Sequence, residues 1–440
     1  MKQQKILSYI TLVTVLHFVL VACSPNKNLT RFANHAVLNQ SIFQAAHVGI
    51  SIYDPATNKY LYTHNADKYF IPASNTKLFT CYAAMKYLGD SILAARYMVS
   101  DDGTLLLQAT GDPTFLHPDF KSQPLLQFLQ QPHFATIGIN TRFEEEPLGS
   151  GWTWNDFQAT YAAERDPFPM YGNVATFIFD GDSLKTIPGA ISKGVTGSPE
   201  KGKPWNVTRD LGGESFIIES GKGSAARQKE ITLSMQSGNY AASFLADTLH
   251  KTVTRSIDPL PIEDSKPFYS QPTDSLLKIT MHRSDNFFAE QLLLMASYKK
   301  LGVMSDRRMV DTLLKTDLSG LPQKPRWLDG SGLSRYNLFS PNDFIFLLNK
   351  MKNEFAFTRL QEILPGANEG TLAGLYKGYE GHIFAKTGTL SNHVALSGYL
   401  ITRRNRPLIF SVMVGNHQSA ASDIRKGIEM LLTSVIDKYR

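Results

Sequence analysis

Apolar and polar positions change their spacing several times along this chain of 440 residues, and each change predicts a different element. Residues 48–53 (Val-Gly-Ile-Ser-Ile-Tyr) and 59–63 (Lys-Tyr-Leu-Tyr-Thr) read as two strands. Asp54-Pro55-Ala56-Thr57-Asn58 between them is turn chemistry, so a hairpin is expected. From Asn75 to Leu88 the apolar residues Leu78, Cys81, Tyr82 and Met85 keep helical spacing, and Gly89 closes the run. Ser74 is thereby placed at a helix N-terminus, where unbonded backbone N–H groups and the helix dipole favour negative charge. Between about 97 and 235 short apolar runs are cut by Gly, Pro, Asp and Ser, which predicts a β-rich block with Lys193–Lys203 as a surface loop. Helical spacing returns at about Tyr240–Thr252, Asp274–His282 and Phe287–Leu301. Strands are expected at Val394–Ile401 and Leu408–Val414, with Arg403-Arg404-Asn405-Arg406-Pro407 as their turn, and an amphipathic helix from about Ala421 to Tyr439.

Helices and antiparallel strands on both sides of a different block predict an α+β domain interrupted by an insert. Residues 23–96 and 236–440 form the discontinuous domain and 97–235 the β-rich insert; no internal repeat is visible. Residues 1–22 read as a leader: Lys2 and Lys5 precede an apolar stretch from Ile6 to Ala22, which polar residues make marginal for crossing a bilayer. Leu20-Val21-Ala22-Cys23 resembles a bacterial lipobox, which implies cleavage before Cys23, a lipid on that residue and export to the cell envelope. Ser24 supplies no Asp-type inner-membrane retention signal, so a periplasm-facing outer-membrane anchor is the expectation.

Composition narrows the function classes. With 42% hydrophobic and 19% charged residues, a disordered chain, a coiled coil and a multi-span membrane protein are excluded. Lys and Arg number 45 against 39 acids, a net +6 without a dense basic run, so no nucleic-acid partner is expected. Loss of residues 1–22, with two lysines and no acid, lowers that charge to +4. The two cysteines permit one disulfide, and a lipid on Cys23 leaves Cys81 a lone thiol. The histidines show no metal-ligand spacing and no phosphate loop is present, so no metal or cofactor is expected.

The candidate chemistry lies in three short segments. Ser-x-x-Lys alone says little, because it occurs five times. The ordered set Ser74-Asn75-Thr76-Lys77, Ser284-Asp285-Asn286 and Lys386-Thr387-Gly388 says more, falling at a helix start, an interhelical loop and a strand. One helical turn brings the Ser74 hydroxyl beside the Lys77 amine. An alcohol needs an adjacent base, and a lysine can be one when burial or a nearby cation makes it neutral. Taken singly, Ser74 and Ser284 are also good helix caps, and the third segment is an ordinary strand end.

This set resembles the serine-active penicillin-recognising enzymes. Pro72 to Leu78, Ser284 to Glu290 and Asp329-Gly330-Ser331-Gly332-Leu333-Ser334-Arg335 look like those of the class C low-molecular-mass penicillin-binding proteins, which are D-alanyl-D-alanine carboxypeptidases/endopeptidases. The 210 positions from Ser74 to Ser284 fit, because that family inserts a domain there. The resemblance implies a β-lactamase/transpeptidase-like domain, with peptidoglycan stem peptides ending in D-Ala-D-Ala as substrate and β-lactams as covalent inhibitors. It implies that Lys386 is the second cation, that Ser284 shuttles a proton to the leaving amine and that Asn286 bonds the substrate backbone. The N–H groups of Ser74 and Thr389 would form the oxyanion hole, and Thr387, Gly388 and Thr389 would line the place of the terminal carboxylate. It also implies that Asp156, Tyr161, Arg335 and Leu390 contact the stem peptide's diamino acid; Trp152 and Trp154 read as core packing of the insert.

Two other classes compete. A class A β-lactamase shares the three motifs but needs a deacylating glutamate, and Glu-x-x-Leu-Asn is absent, as is the Gly-x-Ser-x-Gly of ordinary esterases. An inactive peptidoglycan-binding envelope lipoprotein would have no reason to keep both lysines.

Overall fold

The computed structural model describes residues 25–439 except 142, 236–239, 257–259 and 262, so the expected leader and Cys23 lie outside the described residues. His47–Asp54 and Lys59–His64 form the expected hairpin. Its turn is held by the Asp54 carboxylate, which accepts from Ala56 N at 3.1 Å and Thr57 Oγ1 at 2.6 Å. Ile383–Leu390, His393–Ile401 and Pro407–Gly415 complete a five-stranded antiparallel sheet in the order Ile383–Leu390, His393–Ile401, Pro407–Gly415, His47–Asp54, Lys59–His64. Arg406 of the second turn is bonded to Asp54 of the first.

The three middle strands are apolar at almost every position because both faces of the sheet are covered. Odd positions (Tyr53, Tyr399, Ile409, Met413) pack on Leu78, Phe79, Tyr82, Leu292, Phe344 and Leu348 of helices on one side. Even positions (Ile50, Ile52, Leu396, Phe410, Val412) meet Leu29, Ala33, Ile424, Ile428 and Leu431 on the other. The period of two assigns alternate residues to two separate cores. Full burial of one such Leu or Ile contributes roughly 1.5–3 kcal/mol.

A second five-stranded sheet, in the order Thr252–Ser256, Thr136–Asn140, Leu105–Ala109, Ser91–Val99, Lys266–Pro272, packs with two three-stranded sheets around a third core. Its strands begin at Ser91 and end at Pro272, so the expected boundaries at 97 and 235 fall inside it. Thr252–Ser256 runs parallel to Thr136–Asn140, and a parallel partner requires a crossover. The Tyr240–Leu249 helix belongs to that crossover, although its spacing reads as a return to the first domain. Thr273 N donates to Asp90 O at 2.9 Å, so the chain leaves and re-enters the first body at one neck. Within the expected loop Lys193–Lys203, Val195–Thr196 pairs in parallel with Phe216–Ile217. Among the described residues no helix is long and apolar enough to cross a membrane.

Candidate active site

Pro72 leads into a short 3-10 turn, Ala73–Thr76, which runs into the Lys77–Tyr87 helix. The expected helix from Asn75 therefore begins as a tighter turn with Ser74 in it, and Ser74 makes no side-chain cap. Asn75 Nδ2 donates to Ser397 Oγ at 2.8 Å, which ties the turn to the central sheet. Two glycines bring other backbone against it. A Cβ on Gly388 would stand 2.4 Å from Pro72 O, and one on Gly332, whose φ is +82°, 1.9 Å from Ala73 O. Neither position admits a side chain, so the strand Ile383–Leu390 and the loop at 329–335 close on Ser74 from two sides.

Lys77 is fully buried, and its Nζ has three partners: Ser74 Oγ at 3.0 Å, Asn286 Oδ1 at 2.6 Å and Ser331 O at 2.7 Å. Ser284 is the left-handed residue (φ 60°) between helices Thr273–Arg283 and Asn286–Leu301. Asp285 caps the second helix by accepting from Phe288 N at 2.9 Å, which leaves the Ser284 hydroxyl to Lys386 Nζ at 2.8 Å. Lys386 Nζ also donates to Thr387 O at 2.8 Å. The five residues expected to carry the chemistry thus form two bonded groups, Ser74 with Lys77 and Asn286, and Ser284 with Lys386, which the 284–286 segment joins along the chain.

Burial pushes the Lys77 amine down to about 8 against the opposing pull of Asp329, Glu290 and Asp285. Burial and then the charge of Lys77 push Lys386 well below its ordinary value. Burial thus lowers both amines, and the charge of one opposes that of the other. The acids that surround Lys77 are not displayed by the motifs alone.

Glu290 and Asp329 are both fully buried. Glu290 accepts from Ser331 N at 2.7 Å and Gly330 N at 3.2 Å, which fixes the carbonyl that receives Lys77. Burial and Asp329 raise the Glu290 carboxyl to about 7, with Arg165 opposing. Asp329 accepts from Gly332 N at 2.8 Å, Ser334 N at 2.6 Å, Asn337 Nδ2 at 2.7 Å and Trp152 Nε1 at 3.0 Å. These two acids lie within segments that sequence reasoning treated only as flanks.

The outer residues lie around this centre. Tyr161 is 51% exposed, its hydroxyl is bonded to Asp156 and its carbonyl accepts from Asn286 Nδ2 at 2.9 Å. Arg335 Nη1 reaches Ser391 O at 3.4 Å, next to Leu390. Thr387 is buried, whereas Thr389 is exposed and accepts from Arg425 Nη2 at 2.7 Å. Trp154 is 73% exposed, so the core-packing expectation is wrong for it: the 3-10 turn Trp154–Asp156 projects its ring to solvent. Trp152 is partly buried and spans from the insert side to Asp329. A cleft of about 710 Å³ opens beside Ser284 and Asn286 and is walled by His117, Thr176 and Glu230 from the second body. Among the described residues no cluster of His, Cys, Asp and Glu is arranged to hold a metal ion.

The sequence profile of the D-Ala-D-Ala carboxypeptidase 3 (S13) family matches residues 33–435. The D-alanyl-D-alanine carboxypeptidase DacB of Haemophilus influenzae is 24% identical over 89% of this chain and 90% of its own. The D-alanyl-D-alanine carboxypeptidase of an Actinomadura species is 26% identical over 88% and 81%. The crystal structure of the Haemophilus influenzae penicillin-binding protein 4 (dacB) superposes with a TM-score of 0.74 at 18% identity, covering 93% of this chain and 99% of that one. The same protein in complex with a β-lactam gives 0.68 at 18% identity, again over 93% and 99%. A predatory peptidoglycan endopeptidase of Bdellovibrio bacteriovorus gives 0.51 at 15% identity over 89% and 92%. These likenesses establish that the chain has the fold of penicillin-binding protein 4.

Proposed function

Since this chain belongs to the D-Ala-D-Ala carboxypeptidase 3 (S13) family, its reaction is hydrolysis of a D-alanyl-D-alanine bond, and we propose that Ser74 performs it through an acyl-enzyme. The observation that carries this reading is the set of partners around Lys77. A neutral amine has two donors and one lone pair. Asn286 Oδ1 and Ser331 O take the two donors, and the lone pair is left facing the Ser74 hydroxyl. With its pKa near 8, roughly one Lys77 in ten is in that form at pH 7.

In acylation the Ser74 oxygen bonds to the carbonyl carbon of the penultimate D-alanine and its proton passes to Lys77. The backbone N–H groups of Ser74 and Thr389 hold the developing oxyanion, a role supported by the close passage of Gly388. The C–N bond then breaks, and the leaving nitrogen takes the Ser284 hydroxyl proton, which Lys386 replaces across their 2.8 Å contact. The proton that Lys77 took from Ser74 then passes back through Ser284 to Lys386, so both amines end the step as they began it. Water adds to the acyl carbon, one of its protons returns to the Ser74 oxygen, and the free acid departs. Thr387, Gly388 and Thr389 face the terminal carboxylate, whereas Asp156, Tyr161, Arg335 and Leu390 line the place of the diamino-acid side chain. Peptidoglycan stem peptides are the substrates and β-lactams acylate the same oxygen.

Incubation with labelled penicillin tests this reading: a covalent adduct is expected on the wild type and none on Ser74→Ala. Absence of adduct on the wild type refutes it. Release of free D-alanine from a pentapeptide, against scission of cross-linked dimers, assigns carboxypeptidase or endopeptidase activity. The Leu20-Val21-Ala22-Cys23 segment supports a lipid anchor on Cys23 and an outer-membrane position facing the periplasm. Fatty-acid labelling that persists in Cys23→Ser would refute the anchor.

A further inference from the structure

Arg425 stands on the Ala421–Lys438 helix, whose Ile424, Ile428 and Leu431 are buried against the central sheet. Its guanidinium is partly exposed and reaches the end of the Lys386-Thr387-Gly388 strand, where Nη2 donates to Thr389 Oγ1 at 2.7 Å. Among the described residues this bond to a neutral hydroxyl is the only polar partner of Arg425. Other arginines of the molecule differ: Arg165, Arg209, Arg359 and Arg403 each face a carboxylate. A guanidinium has five N–H donors, so most of those on Arg425 are unused. Thr389 accepts from Arg425, which leaves its own hydroxyl proton to donate. The pair therefore presents donors and positive charge, one residue beyond Gly388, which packs against the Ser74 turn.

We propose that Arg425 is a specificity-determining residue: together with Thr389 it binds the free carboxylate of the substrate's leaving residue, and the carboxylate of a β-lactam. The proposal rests on the reading of Ser74 as nucleophile. A guanidinium matches a carboxylate with two parallel N–H bonds, a geometry that a lysine cannot supply. Substrates in which that carboxylate is blocked as an ester or amide lose this contact and leave the remaining groups of the site unchanged.

The test compares second-order rates of Ser74 acylation by a penicillin and by its methyl ester, in the wild type, Arg425→Ala and Arg425→Lys. The expected result is a loss of about 10- to 100-fold for the acid in Arg425→Ala and less than about twofold for the ester, with Arg425→Lys intermediate. Equal losses for acid and ester in both variants, or no loss in either, overturn the proposal while the penicillin adduct on the wild type still upholds Ser74. Failure of the wild type to form any adduct removes the nucleophile reading and the proposal with it.

Discussion

Lys77 and Lys386 are both fully buried and lie on either side of the same reaction space, yet their surroundings are opposite. Lys77 has three hydrogen-bond partners and the field of Asp329, Glu290 and Asp285. Lys386 has one hydroxyl, one carbonyl and no carboxylate among the groups that shift it. Burial of an ammonium costs several kcal/mol, and the acids offset much of that at Lys77 alone. The comparison teaches that burial sets the direction of both shifts, whereas acids oppose it at Lys77 alone. One amine is suited to cycle a proton with Ser74, the other to surrender one to Ser284.

The strongest way to break this comparison is to delete each amine. Lys77→Met is expected to slow acylation by on the order of 10^4-fold or more, and Lys386→Met by about 10^2- to 10^3-fold, read as adduct formation with labelled penicillin. Equal losses would erase the distinction between base and proton donor. The pH profile sharpens it. Wild-type acylation should rise with pH and level off above about 8, because Lys77 must lose its proton to act. Asp329→Asn removes an acid that holds the cation, so that rise should move to lower pH; Lys386→Met removes a repelling amine, so it should move to higher pH. A shift of the same sign in both variants would contradict the electrostatic account. Asp329→Asn should also cost about 2–4 kcal/mol in thermal unfolding, since an amide cannot accept all the bonds that Asp329 receives. The smallest effect is expected from Trp152→Phe, which removes one indole N–H from Asp329: about 1 kcal/mol, with the pH profile in place.

The local parts of the site were legible in the sequence. Ser74 and Lys77 are neighbours through helical spacing, and the apolar runs of the central strands announce themselves by composition. What stayed hidden depends on distance along the chain. Ser331 N meets the Glu290 carboxylate across 41 positions, Arg425 meets Thr389 across 36, and Trp152 meets Asp329 across 177. No periodicity encodes those meetings. The extent of the second sheet escapes the sequence pattern for a related reason: a parallel crossover places strands together that no turn signal joins. Trp154 shows the converse error, a residue type usually buried that a short turn aims at solvent.

The register of the central sheet, with His47 opposite Gly415, also sets a timetable for the molecule. Pro407–Gly415, the middle strand of that sheet, joins the early hairpin to the late strands, so the sheet cannot close until nearly the whole polypeptide has emerged. The intervening body, closed at its own neck between Asp90 and Thr273, has all its strands far earlier. Formation of that body can precede closure of the sheet, whose long sequence separation makes it the slow event. Competence to be acylated is therefore gained in the last step of folding, and a chain cut short before Pro407 would carry Ser74, Lys77 and Lys386 without the sheet that brings them together.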